Sequence, residues 1–536
     1  MTGSTSLESA RSLWRAAAAG TFLFAVVLAA RLVARDVVIT ADEDNWMSRS
    51  GGFAFGLLNM QFGRTYQNGH PGVTTMWTAA LTLGPRRMME FSDRVSGQRF
   101  VARVPGFWEA LVEARVGFAV VTAALVLAIA AIVHRLTNGL VAAVSAFLVG
   151  LEPFYLSISQ LVHMDAILSG CMVASALAAS GRLFGPCGRR WMAASGVLAG
   201  LALLSKVPAL FLVGFVTLVG LAAWWSRSRT GTAVGAWREL ILDLGTWGLA
   251  TAVTGLLLWP AVWVLGPIEV AGRVAAFARE TGGQPHEAGT FFWGSPRTDP
   301  GPLFYPVAAA FRLSPLTVLG VALLALNVRR VPAPWRPHLA ALVFYAIGFV
   351  VMMTFGAKKL DRYVLPVFPA LGVVAAAGLT LQVQRMVRGK RVVWVGAALV
   401  GLASLFPAFS AYPYFLSFYN PLLGGGAAAQ RTVMVGNGEG LDVVAEWLNA
   451  RPNAADQWVV AHSYDILQAR LVGSGEPLRD RVPSNADYVV LYSFQTQIGH
   501  SPRVVNEWAS QRTPDLVVTI NGVEYARVYR GPHQPA

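Results

Sequence analysis

The sequence has little charge, little cysteine and no visible internal repeat, and each shortage excludes a class of protein. Charged residues make up 13% of the 536 residues and hydrophobic residues 54%, whereas a soluble domain carries roughly 25% charged residues. Cys171 and Cys187 lie in an apolar segment and a basic loop, so neither a disulfide framework nor a cysteine metal site is indicated. The lack of a repeat argues against a transporter built from duplicated halves.

Long apolar runs are what the sequence does contain. They recur from Ala16 to about Tyr412, and each is long enough to cross about 30 Å of hydrocarbon. A cleaved signal peptide is disfavoured for the first run because many further runs follow it. The predicted transmembrane spans number eleven and cover residues 13–34, 110–133, 139–157, 164–181, 191–206, 207–225, 240–263, 303–326, 338–355, 362–384 and 392–412.

The net charge of +14 reflects orientation in a membrane better than it reflects nucleic-acid binding. Arginine and lysine cluster in the short connections between alternate apolar runs, such as "GRLFGPCGRR" and "NVRRVPAPWRP". Basic connections of this kind stay in the cytoplasm. We therefore predict a multi-pass plasma-membrane or inner-membrane protein with a cytoplasmic N-terminus and no nucleic-acid partner. Loops 35–109 and 264–302, the turn at Lys358 and the chain after Tyr412 are predicted to lie outside.

Two units follow from this pattern. Residues 1–412 are predicted to form a polytopic all-α membrane domain in which loop 35–109 contains interfacial helices, because it mixes apolar and charged residues at helical spacing. The long run around Lys206 is predicted to break there, which would bring the ammonium to the outer surface. Residues 413–536 alternate helix-like and strand-like pieces and end in a hairpin at Asn521-Gly522, which predicts a small extracytoplasmic α/β domain.

Acidic residues stand directly after the first span, in "TADEDNWMSRS". Asp42, Glu43 and Asp44 are held at the boundary of water and membrane, where a carboxylate can act as a general base toward a hydroxyl group. A solvated end of an acidic loop is the alternative.

Further polar residues are predicted on the same side of the membrane. His70 begins an amphipathic segment, and "SQLVHMDAIL" places His163 and Asp165 at the outer ends of two spans. Ionisable residues in apolar surroundings suggest function, although a structural histidine and a helix-capping aspartate are the alternatives. Carboxylates and imidazole also suit a divalent ion, so a metal is possible, but none is expected.

Cations gather there as well. Lys206 and the turn "AKKLDRYVLP", with Lys359, Arg362 and Tyr363, are predicted on the outer face. The alternative is that these long side chains extend from the helix ends only to bring their charges into water. Cations facing carboxylates also match a site that holds a lipid phosphate as it departs.

These motifs together resemble the protein O-mannosyltransferase and aminoarabinose transferase superfamily. These are membrane glycosyltransferases of the GT-C fold that use polyprenyl-phosphate sugars. The matching features, in order, are Asp42-Glu43, "HPG" at His70, "HMDAIL" around Asp165, "GLALLSKVPAL" around Lys206 and "KKLDRYVLPVFPAL". The resemblance implies a GT-C type fold, a polyprenyl-phosphate monosaccharide as donor, and transfer of a hexose or pentose with inversion.

The resemblance also implies roles for single residues. Asp42 would be the catalytic base, Glu43 would orient the acceptor, and Asp165 would help to bind donor or acceptor. His70, and with it His163, would contact acceptor or phosphate.

Donor phosphate binding would fall to Lys206, Lys359 and Arg362, and we assign Tyr363 to the same group. Relatives commonly have "HPP" where this chain has "HPG", and Asp165 here follows His-Met rather than a purely apolar residue. Both departures bear on the acceptor side. The acceptor, whether protein, lipid or glycan, therefore stays open.

Three other functions compete with a transferase of this kind. A flippase or transporter for a lipid-linked sugar should place ionisable residues near the middle of the membrane, whereas here they lie at one face. Inert spans that anchor an assembly protein would not explain the outward-facing acids and cations. An oligosaccharyltransferase is disfavoured because the chain lacks a much larger soluble domain and a "WWDYG"-like motif.

Overall fold

The computed structural model describes residues 3–98, 101–229, 233–285, 289–387 and 389–533. Parts of two predicted cytoplasmic connections, "SRSRTGTAVGAWRE" and "RMVRGKR", lie outside these ranges, as do single short pieces of the two long outer loops.

The first quarter of the chain is two long helices with four shorter ones between them. The shorter four occupy the first outer loop, where helices were predicted. In order, the six are α1 (Gly3–Leu32), α2 (Ala41–Leu58), α3 (Val73–Leu83), α4 (Pro85–Met89), α5 (Asp93–Ser96) and α6 (Phe107–Leu136).

The rest of the membrane part is also helical, apart from one short antiparallel hairpin. The hairpin consists of β1 (Thr290–Phe292) and β2 (Ser295–Arg297). The helices are α7 (Gly139–Gly150), α8 (Pro153–Ser159), α9 (Asp165–Phe184), α10 (Arg190–Ser205), α11 (Phe211–Ser228), α12 (Ala233–Leu258), α13 (Ala261–Leu265), α14 (Pro267–Gly283), α15 (Phe304–Arg312), α16 (Pro315–Leu326), α17 (Arg336–Thr354), α18 (Val367–Met386) and α19 (Lys390–Ser410).

Every predicted span coincides with an apolar helix or helix pair. Among the described residues, seven helices are long and apolar enough to cross a membrane, and two bent pairs raise this number to nine. The first and fifth predicted spans correspond to shorter apolar helices, Ala17–Leu32 and Arg190–Ser205. The prediction of a polytopic helical membrane protein is confirmed, as is the break at Lys206, where the backbone is extended between α10 and α11.

Two predicted spans are bent rather than straight. The axes of α7 and α8 differ by 66°, and those of α15 and α16 by 113°. At the second bend the hydroxyl of Ser314 caps α16 by accepting from the backbone N–H of Thr317, and Pro315 occupies the first turn, a position where proline is well tolerated. The buried carboxylate of Glu152 accepts from the backbone and hydroxyl of Ser314, which holds the two bends together.

The C-terminal part is a small α/β unit, as predicted. Its helices are α20 (Gly425–Thr432), α21 (Leu441–Asn449), α22 (Tyr464–Leu467), α23 (Ser493–Gln497) and α24 (Pro502–Gln511). Its strands are β3 (Trp458–Ala461), β4 (Ser474–Pro477), β5 (Tyr488–Tyr492), β6 (Leu516–Ile520) and β7 (Val523–Arg530).

The five strands form one mixed sheet in the order β4-β3-β5-β7-β6. The strand β3 is parallel to β4 and β5, whereas β7 is antiparallel to β5 and β6. The predicted hairpin turn is present, with positive φ angles of 50° at Asn521 and 80° at Gly522, as two-residue turns between twisted strands require.

This α/β unit is fastened to the segment that leads into α2. The guanidinium of Arg470 donates to the carbonyls of Val37 (3.1 Å) and Asp36 (3.2 Å) and lies 4.4 Å from the ring centre of Trp108. Close by, Gly438 approaches the carbonyl of Ile39 so tightly that a Cβ atom would lie 1.9 Å from it. The C-terminal unit therefore helps to fix where α2 begins.

Replacing Arg470 with alanine should loosen this contact. Two hydrogen bonds from a charged donor, one cation–π contact and a 3.9 Å ion pair with Asp442 are lost, so we expect a destabilisation of about 2 kcal/mol and a partial loss of activity. The control is Arg451→Ala, because Arg451 stacks on Trp447 within the same unit. Thermal unfolding and limited proteolysis of both variants measure the difference. Equal effects of the two substitutions would contradict a docking role for Arg470.

Candidate active site

The site is built around the first turn of α2. Thr40 precedes the helix, and its backbone N–H donates to the Glu43 carboxylate (3.1 Å), which is one half of a capping box. Acidic side chains in a first turn also interact favourably with the helix dipole. The three consecutive acids therefore start a helix, and the helix sends their side chains in different directions.

Glu43 points into the protein and is fully buried. Arg115 on α6 holds it with two hydrogen bonds, from Nε to Oε1 (2.8 Å) and from Nη2 to Oε2 (2.5 Å). The backbone N–H of Val162 donates to Oε1 as well (3.0 Å). Since both oxygens are fully engaged, Glu43 has no free position for an acceptor, and its observed contacts are those of a residue that positions α2.

Asp42 has about a third of its side chain exposed. It forms an ion pair with Arg362, and its Oδ2 lies 3.9 Å from Nε2 of His163. Burial alone would raise the pKa of Asp42, but the charge of Arg362, with a smaller contribution from His163, holds it well below its usual range. Asp42 is therefore ionised and accessible, as a general base must be.

Asp165 and Lys206 form a second, buried ion pair beside the first. The Lys206 ammonium donates to Oδ1 of Asp165 (2.8 Å) and lies 4.5 Å from the ring centre of Tyr363. The other oxygen, Oδ2, has no hydrogen-bond partner. A buried carboxylate oxygen without a hydrogen-bond partner is costly.

His163 connects the two pairs. Its Nδ1 accepts from the backbone N–H of Asp165 (3.2 Å), while its Nε2 faces Asp42. Burial lowers the pKa of His163, which favours the neutral ring, and Nδ1 also lies 3.5 Å from Oδ2 of Asp165. The structure thus brings together six of the predicted residues: Asp42, His163, Asp165, Lys206, Arg362 and Tyr363.

His70 lies at the edge of this cluster. Its ring meets Phe277 on α14 edge to face, with the ring centres 4.9 Å apart, and Nδ1 has no hydrogen-bond partner. Burial, together with the positive charges of Lys206, Arg49 and Lys358, lowers its pKa to about 3. His70 is therefore a neutral hydrogen-bonding group at physiological pH rather than a cation.

The unusual glycine of "HPG" has a structural reason. Gly72 has a φ of +57°, which proline cannot adopt, and a Cβ atom there would lie 2.1 Å from the ring of Trp46. Its backbone N–H donates to the carbonyl of Ser205 (3.0 Å). Trp46, on the same helix as Asp42, thus packs directly on the loop between His70 and α3.

Replacing Gly72 with alanine should disturb the site more than its backbone strain alone explains. The left-handed conformation costs about 1–2 kcal/mol for alanine, and the new methyl group displaces Trp46. The matched control is Gly106→Ala, because Gly106 is also left-handed, with φ +75° and ψ 9° against φ +57° and ψ 12° at Gly72, and no atom lies within 4 Å of a new Cβ. We expect similar strain in both variants but a larger loss of activity in Gly72→Ala. Equal activities would exclude a role for the contact with Trp46.

Lys359 is set apart from the cluster. Its side chain is buried, and its ammonium is paired with Asp299 (2.5 Å). Among the described residues, Lys358 has no carboxylate within ion-pair distance. Its positive charge helps to lower the pKa of His70. The predicted phosphate contact of Lys359 stays a prediction, and Lys358 is a second candidate for it.

Arg49 was not predicted from the sequence. It lies on α2, seven residues after Asp42 and so on the same helix face, and stacks over Trp46 at 4.8 Å. Its positive charge helps to lower the pKa of His70. Burial lowers the pKa of Arg49 itself, and the negative charge of Asp42 partly offsets this. The seven-residue spacing was the signal that would have identified it.

An apolar cavity of about 400 Å³ adjoins the cluster. It is bounded by α3, α6, α9 and α10, with Leu258 at the end of α12. Its wall includes Ile167 and Leu204, which stand two residues from Asp165 and Lys206. Thr74 on the same wall hydrogen bonds to the hydroxyl of Ser205 (2.6 Å). The cavity and the Asp165–Lys206 pair are therefore neighbours along α9 and α10.

No metal centre is evident in the part of the chain that the structure describes, because no three His, Cys, Asp or Glu side chains there are grouped to hold an ion. The expectation of a reaction without a metal stays a prediction.

Comparison with known proteins supports the resemblance. Residues 89–274 match the family model described as dolichyl-phosphate-mannose-protein mannosyltransferase. This region includes Asp165 and Lys206. The match confirms the predicted resemblance to the superfamily of O-mannosyltransferases and aminoarabinose transferases. No curated protein sequence is significantly similar to the chain.

Several solved structures are similar in shape along most of the chain. ArnT from Cupriavidus metallidurans, bound to undecaprenyl phosphate, is 15% identical, with 95% of this chain and 97% of that one covered and a TM-score of 0.48. The apo state of the same protein is 16% identical, with 97% of this chain and 98% of that one covered and a TM-score of 0.49. AglB from Archaeoglobus fulgidus, in complex with an inhibitory peptide and a dolichol-phosphate, is 13% identical. The match covers 91% of this chain and 72% of that one, with a TM-score of 0.44.

Proposed function

We propose, on the premise that residues 89–274 match the mannosyltransferase family model, that this protein is an integral membrane glycosyltransferase. It moves a sugar from a polyprenyl-phosphate donor to an acceptor hydroxyl by an inverting displacement. The observation that carries the proposal is an accessible, ionised Asp42 that pairs with Arg362 and is joined through His163 to the Asp165–Lys206 pair, beside an apolar cavity.

The arrangement suits a lipid-linked donor. The apolar cavity takes the part of the prenyl chain nearest the phosphate, while Arg362 and Lys206 face the phosphate itself. Arginine and lysine bind phosphate through charge-assisted hydrogen bonds. Tyr363, under the Lys206 ammonium, helps to keep that charge in place.

The reaction then needs one proton transfer. Asp42 accepts the proton of the acceptor hydroxyl while the acceptor oxygen bonds to the anomeric carbon and the carbon–phosphate oxygen bond breaks. The leaving group is the polyprenyl phosphate, whose developing charge the two cations stabilise. As donor phosphate engages Arg362, the ion pair with Asp42 weakens, which makes Asp42 a stronger base when the substrate is bound.

A flippase for a lipid-linked sugar is less well supported. Transport across the membrane needs polar groups near its middle. Asp165 and Lys206 lie at the first residue of α9 and directly after the last residue of α10. Asp42 lies in the first turn of α2 and Arg362 before the start of α18, so the polar groups gather at one end of the bundle.

The basic connections lie at the opposite end of the bundle, which the positive-inside rule assigns to the cytoplasm. The end that holds the site then faces outward. We therefore place the site and the C-terminal unit outside a plasma or inner membrane. The acceptor is a protein, lipid or glycan hydroxyl, and neither a cofactor nor a nucleic acid takes part.

The test is sugar transfer by the purified protein with a panel of polyprenyl-phosphate monosaccharides. We expect release of the carrier phosphate from one donor and no effect of a chelator. Loss of activity with chelator would contradict a metal-independent reaction. Consumption of no donor, together with movement of a labelled lipid-linked sugar across vesicles, would replace the transferase with a flippase.

Lys358 and Lys359 form a matched pair of adjacent lysines. Lys358→Gln should lower kcat/KM for the donor about tenfold or more, because a charged contact to phosphate is lost. Lys359→Gln, which breaks the pair with Asp299, should change stability more than donor use. Steady-state kinetics at varied donor concentration separate the two. The reverse result would assign the phosphate contact to Lys359.

A further inference from the structure

A second cavity lies at the opposite end of the helix bundle from the candidate active site. It has a volume of about 780 Å³ and is formed between the end of α16 and the start of α17. α17 runs from Arg336 at the cavity to Thr354, and Lys358 and Arg362 of the site region follow. Nineteen helical residues span about 28 Å, which is nearly the thickness of the hydrocarbon core.

The walls of this cavity are apolar and extend along the membrane-facing side of α17. Leu324 and Leu339 are buried at its base. Val343, Phe344 and Ile347 line it farther along α17 and remain exposed. From Arg336 to Ile347 the helix rises about 16 Å, which is roughly half of the hydrocarbon thickness. The groove is therefore as long as one leaflet is deep.

Its rim is basic and rigid. Arg336 donates from Nε to the carbonyl of Val331 (2.9 Å) and from Nη2 to the carbonyl of Arg329 (3.3 Å). A guanidinium has five N–H donors, so most of them remain free while the group is held in position. Arg329 itself lines the same cavity.

These arginines also lack acidic partners. In the part of the chain that the structure describes, no carboxylate lies within 4 Å of Arg329 or Arg336. Two other arginines on this face are neutralised, since Arg182 and Arg189 both pair with Glu239 and Asp243. Arg329 and Arg336 therefore keep uncompensated charges where the apolar groove begins.

We infer that this cavity binds an anionic glycerophospholipid from the leaflet opposite the candidate active site. The lipid phosphate lies between Arg329 and Arg336, which can hold it through paired hydrogen bonds, and one acyl chain follows α17 toward Ile347. Under the predicted orientation this is the cytoplasmic leaflet, where basic pockets between helices bind anionic head groups. The inference does not depend on sugar transfer.

The test measures the selectivity of the purified full-length chain for spin-labelled phosphatidylglycerol over phosphatidylcholine in nanodiscs. We expect a clear preference for phosphatidylglycerol. Arg329→Gln and Arg336→Gln should each lower that preference about fivefold. The control is Arg135→Gln. Arg135 is an exposed arginine in the last turn of α6, on the same side of the membrane, and it does not line the cavity. It should keep the preference.

A second variant, Ala340→Phe, fills the groove without changing charge, since Ala340 is an exposed lining residue. It should also abolish the preference, which separates a lipid site from attraction to basic residues alone. An unchanged preference in the arginine variants, or an equal loss in Arg135→Gln, would overturn the inference. So would displacement of the lipid by inorganic phosphate at equal concentration, because the site would then bind a free anion.

Discussion

Asp42→Asn is expected to lower sugar transfer by about 10²–10⁴-fold, the usual contribution of a positioned general base. The amide keeps the shape of the side chain and still accepts a hydrogen bond from Arg362, but it cannot take a proton. Donor binding should survive, because the cations that face the phosphate are untouched. Transfer and donor binding, measured on the same preparation, test both expectations.

The neighbouring acid provides the control for this experiment. Asp44 accepts from the backbone N–H of Ala102 (2.7 Å) and points away from Arg362, so Asp44→Asn keeps its hydrogen bond and should retain transfer. Burial raises the pKa of Asp44 to about 6, so it is partly protonated already in mildly acidic solution. Near-normal turnover in Asp42→Asn, or an equal loss in Asp44→Asn, would remove Asp42 from the role of base.

Arg115→Met should destabilise the protein by about 3–5 kcal/mol, because it leaves the buried Glu43 carboxylate without its cationic partner. The start of α2 should shift as well, since Arg115 also donates to the carbonyl of Val38 (2.6 Å). Thermal unfolding in a fixed detergent measures the first effect, and transfer well below the unfolding temperature measures the second.

The double variant Glu43→Gln with Arg115→Met separates charge from packing. Removing both charges of a buried pair is often nearly neutral, whereas removing one is costly. We therefore expect the double variant to be more stable than Arg115→Met alone. A double variant that is no more stable would show that the cost comes from lost hydrogen bonds to the backbone and from packing instead of from the unpaired charge.

The helices of the membrane part were predictable because hydropathy over about twenty residues reports burial in lipid directly. The break at Lys206 was predictable for the same reason, since a charge in mid-membrane is costly. The 113° bend between α15 and α16 was not predicted, although Ser314 and Pro315 are ordinary signals of a new helix. Arg312, a charge inside the predicted span 303–326, stands directly before this bend and marked it in the same way as Lys206 marks its break.

The sequence indicated which residues belong to the candidate site, but not which of them pair with each other. Asp42, Asp165 and Lys206 stand at the ends of spans, where apolar sequence makes a charge conspicuous. The partner of Lys359 is Asp299, sixty residues away, and no local pattern reports such a contact. Glu43 was expected to meet the acceptor, yet its capping-box spacing from Thr40 was a sequence signal for its structural role.

The apolar cavity beside Asp165 has a consequence for how the reaction is measured. Leu81 on its wall is 70% exposed on the protein surface, so we expect the prenyl chain of the proposed donor to enter from the surrounding lipid and not from water. The quantity that sets the rate is then the mole fraction of donor in the bilayer or micelle. Adding detergent at constant bulk donor concentration should slow the reaction by surface dilution, and Michaelis constants should be compared only at a fixed ratio of donor to total amphiphile.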